Sequence, residues 1–208
     1  MKSIKTLALL LALILTLTST AYAKNTNSGI KKTVAEQQTV KQPNQLMFDG
    51  IIYTLKYSTN QTRSGEYMNE YYKSNEKGSD WTELITVSEF PNYPNKTMDY
   101  AESILSRDSS PNNYDRPLVS NSRTEKVTFV FLLIGKTDEY KYIEFNVMQA
   151  LPYKNYKGLK TILYTKRYKY TTREEYQTAF NQMETDKQRY FNLIKEMEIP
   201  AVVHENIE

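Results

Sequence analysis

Between Lys126 and Tyr170 the chain carries three apolar runs rich in β-branched and aromatic residues: Val127–Ile134, Tyr142–Met148 and Leu159–Tyr170. The turn-forming segments Gly135–Glu139 and Pro152–Gly158 separate them. This spacing predicts three antiparallel strands in a meander. The first run is apolar almost throughout, which predicts a central strand covered on both faces. In the second, Ile143, Phe145 and Val147 alternate with Glu144 and Asn146. In the third, Ile162, Tyr164, Tyr168 and Tyr170 alternate with Thr161, Thr165, Arg167 and Lys169.

Earlier in the chain the period-two pattern returns. Ile51, Tyr53, Leu55 and Tyr57 fall on one face of a predicted strand, and Glu66–Lys73 and Trp81–Phe90 complete a second meander. The two prolines of Pro91–Asn95 stop the sheet. The period then becomes helical over Thr97–Arg107, with Met98, Ala101 and Leu105 on one face and Asn95 or Thr97 as cap. Asp108–Glu125 reads as a long loop and a candidate binding segment, with room for a short strand at Leu118-Val119. Thr172-Arg173-Glu174-Glu175 is a capping box, in which the Thr hydroxyl takes the Glu175 amide and the carboxylate reaches back. It opens a helix to Met197 whose stripe is Tyr176, Ala179, Phe180, Met183, Tyr190, Ile194 and Met197, with Asp186–Gln188 on the wet side. Pro200 ends it.

The predicted fold is therefore α+β. An antiparallel sheet of about six strands carries a short helix and a long C-terminal helix on one face. The domain is expected over residues 46–199, with a polar linker at 24–45 and a tail at 200–208.

The N-terminus has the pattern of a signal peptide. Lys2 and Lys5 precede the apolar run Leu7–Leu17, and Ala21-Tyr22-Ala23 is a small-x-small cleavage site. The expectation is a secreted or periplasmic protein cut after Ala23, with no stable membrane span left. Without Lys2 and Lys5, the 27 basic residues fall to 25 against 24 acidic ones. That near-neutrality argues against a nucleic-acid partner bound through bulk charge. The chain has no Cys, which removes disulfides and thiol chemistry together.

The single His, His204, has no second imidazole for a triad or a multi-His site. No metal site and no cofactor are expected. Glu83, Glu89 and Glu144 are the strand carboxylates from which a hydrolase or transferase would have to be built. A better candidate is a ligand-binding cluster of Glu144, Asn146 and Arg167. Glu144 and Asn146 are two apart on one strand face, and pairing through the Pro152–Gly158 turn brings Arg167 or Thr165 beside them.

The phrases Trp81-Thr82-Glu83-Leu84-Ile85-Thr86, Glu144-Phe145-Asn146 and Arg167-Tyr168 together resemble those of a group of uncharacterised exported bacterial proteins. The layout is also similar to the PsbP/Mog1-like fold. Neither resemblance implies an activity. The function expected is a non-catalytic exported protein that binds an envelope protein or a small ligand through a Tyr-rich sheet face or the Asp108–Glu125 loop. The alternatives are the carboxylate enzyme and a structural envelope component.

Overall fold

A computed structural model describes residues 44–61, 66–76, 80–93, 96–111, 114–153 and 157–203. The expected signal peptide, most of the expected linker, and His204 lie outside the described residues. In chain order the elements are β1 (Gln45–Phe48), β2 (Ile51–Gln61), β3 (Glu66–Lys73), β4 (Glu83–Phe90), α1 (Thr97–Leu105), β5 (Leu118–Asn121), β6 (Lys126–Lys136), β7 (Lys141–Tyr153), β8 (Gly158–Tyr170) and α2 (Arg173–Glu196).

The strands form one antiparallel sheet of eight among the described residues, in the order β1-β2-β3-β4-β8-β7-β6-β5. Both meanders are present, and β4 joins them by pairing with β8 along its whole length. The count exceeds the expected six at the two edges. β1 is only four residues long, inside a polar context, yet Leu46 and Phe48 are buried. It pairs with β2 through Asp49-Gly50, both at positive φ (52° and 74°), the two-residue turn whose twist matches a hairpin. β5 is exposed along its whole length, so burial wrote no pattern into it. It is held by its ladder to β6.

The expected central strand is also displaced. β6 is covered on both faces, as its composition requires, but it stands next to an edge, and the middle of the sheet is β4 and β8.

The two helices do not share a face. α2 lies across the side that carries Tyr71, Ile85, Val130, Phe145, Val147, Ile162 and Tyr164, against which Met183, Tyr190, Phe191 and Ile194 are buried. α1 lies on the other side, with Ala101 buried against Phe129, Phe131 and Met148. Period two explains this. β6 and β7 present apolar residues to both sides, and one helix cannot cover two opposed surfaces.

The α2 cap is as expected: Glu175 N donates to Thr172 Oγ1 at 3.1 Å, and Thr172 N donates to Glu175 Oε2 at 3.3 Å. α1 instead starts after Lys96, whose amide donates to Asp99. Asp186–Gln188 is only partly wet. Lys187 is buried, with its ammonium over the Tyr114 ring and donating to Asp115 O at 2.9 Å, and Asp186 accepts from Lys166 and Tyr168. Tyr57 leaves the face of Tyr53 and Leu55, because a bulge after Leu55 pairs it with Glu70.

The long loop before β6 seals that strand. Ser109 N donates to Leu132 O, Leu132 N to the Asp108 carboxylate and Val130 N to Pro117 O. Ile199 and Val202 are buried beyond α2, in the same core as its stripe.

Candidate functional site

α1 has nine residues and is about 13 Å long at the helical rise, whereas eight strands span roughly 34 Å. It packs over β6 and β7. Among the described residues no helix covers the same face of β3 and most of that face of β4 and β8, and a groove of about 180 Å³ opens there.

Period two and the register place each lining residue. β4 and β8 supply Leu84, Thr86, Leu163 and Thr165 at the middle of the floor. β6 and β7 supply Phe131, Met148, Asn146 and Glu144 on the α1 side. β3 supplies Glu66, Met68 and Glu70 on the far side. Tyr100 and Ile104 of α1, with Arg107 in the turn after it, form one wall, and Trp81 closes an end.

The three residues singled out from sequence do come together. Glu144 and Arg167 are Cα partners across β7 and β8, and Arg167 Nε reaches Glu144 Oε2 at 3.2 Å, with each side chain 8% exposed. Asn146 donates to Glu144 O at 3.0 Å and accepts from the Thr165 hydroxyl at 2.8 Å. The Arg167 guanidinium is sandwiched between Trp81 and Tyr142, 3.5 Å and 4.5 Å from their ring centroids. Gly135, the Cα partner of Tyr142, lacks the Cβ that would collide with the Tyr142 ring. Glu144 and Asn146 line the groove; Arg167 is held behind them by the pair and the rings. Burial raises the Glu144 carboxyl above the ordinary carboxylate range, and the Arg167 charge only partly opposes it.

The carboxylates considered for catalysis do not converge. Glu83 and Glu89 face α2, on the opposite side of the sheet from Glu144. Glu83 is bound by Lys73 at 2.7 Å and by the Tyr53 hydroxyl at 2.6 Å. Burial works to raise its pKa, but these two bonds outweigh it and hold the carboxyl below its usual range. Glu89 pairs with Lys160 at 3.4 Å. Among the described residues no three His, Cys, Asp or Glu side chains gather as metal ligands would.

The Tyr-rich face is largely interior. Tyr53, Tyr71, Tyr164 and Tyr168 are buried beneath α2, and the hydroxyls of Tyr53 and Tyr168 are bonded to Glu83 and Asp186.

Sequence reasoning missed the β3 side of the groove. Glu70 is 4% exposed and accepts from the Tyr72 hydroxyl at 2.7 Å. Burial raises its pKa, and the Tyr72 hydrogen bond offsets this only in part. Glu66, two alternations earlier on the same face, is also raised by burial. The signal was the spacing Glu66, Met68, Glu70, which puts two acids and a methionine on one strand face.

Fold and groove define an α+β protein with one helix-covered sheet face and one partly open face. Residues 40–199 match the model of an uncharacterised protein family, and the chain belongs to that family. No curated protein and no solved structure matches the chain significantly. The likeness in layout to the PsbP/Mog1-like fold therefore finds no support among solved structures.

Proposed function

We propose that the protein is a non-catalytic, exported binding protein that takes a small, mostly apolar ligand in the groove beside α1. The observation that carries this reading is the open apolar floor of Leu84, Leu163 and Met148, bounded by polar groups on both sides. Small-molecule sites have this make-up: apolar walls with a few fixed polar groups. The floor is built on strands in the middle of the sheet, so its shape is preformed. On the α1 side, Glu144 and Asn146, backed by Arg167, form one polar end, and the β3 acids form the other.

Export rests on the basic, apolar and small-x-small order of residues 1–23. No helix among the described residues is long and apolar enough to cross a membrane. N-terminal sequencing of the protein recovered outside the cytoplasm should begin at Lys24.

The groove is tested with the neutral dye N-phenyl-1-naphthylamine, titrated against the purified mature chain. Fluorescence enhancement that is lost in Leu163→Trp and Thr86→Phe, each with unchanged melting temperature, supports the reading. Equal enhancement in the wild type and in either folded variant overturns it.

A further inference from the structure

The two polar ends of the groove differ in how far their charges are already matched. At the β7–β8 end, Glu144 has Arg167 at 3.2 Å, and Arg167 is held by two aromatic rings. At the β3 end, Glu70 is 4% exposed and holds the Tyr72 hydroxyl at 2.7 Å. No lysine or arginine among the described residues forms an ion pair with Glu70 or Glu66 at this end. The groups facing Glu70 are Tyr57 on β2, Tyr72 and Glu66 on its own strand, and Thr86 on β4. Across the groove stand Tyr100 of α1, the exposed Arg107 in the turn after it, and the internally paired Glu144 and Arg167.

A buried carboxylate without a cation is costly, and a ligand that brings a cation removes that cost. A ligand bringing a second anion would add to it. The neighbours of Glu70 along its row of the sheet are Thr86, Leu163 and Met148, so the floor beside the acid is nearly apolar.

We infer that the groove selects a small amphipathic amine, with its ammonium against Glu70 and Glu66 and its hydrocarbon body over Leu163 and Met148. This rests on the groove reading above. The groove volume of about 180 Å³ suits a short hydrocarbon body, since even an enclosed apolar cavity of about 150 Å³ accepts benzene. Burial keeps both acids above the ordinary carboxylate range in the free protein. An ammonium favours their ionised form, so binding is coupled to proton release.

The experiment is calorimetric titration of the mature protein with hexylamine, hexan-1-ol and hexanoate, at pH 5 and pH 7. Hexylamine is expected to bind at least about tenfold more tightly than either of the others, the size of one charge-assisted contact. Glu70→Gln, which keeps the shape and the Tyr72 bond, is expected to abolish that preference, so that hexylamine binds no more tightly than hexan-1-ol. Hexylamine affinity is expected to be higher at pH 7 than at pH 5. Hexan-1-ol binding as tightly as hexylamine overturns the amine inference and leaves the groove reading standing. Hexanoate binding most tightly, and losing affinity in Arg107→Gln, overturns it in favour of an acid. Binding of none of the three, together with no response to the neutral dye, overturns both readings.

Discussion

The Arg167 guanidinium lies over the Trp81 indole, 3.5 Å from its centroid, so a residue that entered as a candidate ligand contact is itself held as a guest. Its charge is spent on Glu144, and its other face rests against Tyr142. Removing one partner of a buried pair leaves the other uncompensated, at a typical cost of about 3 kcal/mol. Arg167→Leu is expected to lower stability by that order at pH 7 in urea denaturation. Without Arg167 the Glu144 pKa rises further, so the loss should shrink as the pH falls towards 5. Glu144→Gln added to Arg167→Leu should recover part of it. A loss that is the same at both pH values contradicts the pairing described here.

Glu70 works against folding at neutral pH. Its folded pKa lies above its unfolded value because burial disfavours the charge. The folded state therefore holds more protons between those two values, and stability falls as the pH rises through that window. Glu70→Gln is expected to raise stability at pH 7 to 8 and to flatten the decline as the pH rises from the acidic side. The check is melting temperature against pH for wild type and variant. Glu83 and Asp186 have the opposite sign. Both are held below the usual range, so their contribution is present above the unfolded pKa and lost on acidification.

Residues beyond Pro200 belong to the core. The Asn69 amide, oriented with its oxygen towards the Val203 N–H, meets both backbone groups of Val203 at 2.7 and 3.2 Å. Asn69 is fully buried, and Val202 is 5% exposed. A chain ending at Ile199 loses the Val202 burial, worth about 2 kcal/mol, and leaves Asn69 without these partners. It should unfold at distinctly lower urea than a chain ending at Val203. Equal midpoints would show that the segment adds nothing.

Asp108 seals the β6 edge. Its buried carboxylate accepts from the amides of Leu132 (2.8 Å) and Ser110 (3.0 Å) and pairs with Arg116 (2.8 Å). Asp108→Ala strands those donors and frees the edge beside β5. A loss of about 2 kcal/mol is expected, with an increased tendency to self-associate. Urea denaturation and light scattering measure the two effects. Arg116→Ala, at a pair whose cation is well exposed, should cost much less.

Strands with one buried side, and the capped α2, were legible because burial repeats along them at period two or at helical spacing. Tyr53, Ile85, Phe145 and Ile162 were placed in this way, and so was the contact between Glu144 and Arg167. β5 showed only as the short apolar pair Leu118-Val119, since none of its residues is buried to write a period. β1 showed only as its turn: Asp49-Gly50 marks the hairpin, but a four-residue strand with two buried side chains is too short to show a period. Tyr57 changed face at a bulge that no alternation reveals.

Local sequence determined which residues form strands and helices, because propensity, caps and burial period act over a few neighbours along the chain. Tertiary structure alone decided which side of the sheet each helix covers, and so where the sheet stays open. That choice depends on how far nine residues of α1 reach across eight strands, a matter of width that no window of sequence contains. It also decided that Glu83 and Glu89 look away from Glu144, and that Glu70 lies buried beside an apolar floor. Burial of a single carboxylate is a property of everything packed around it.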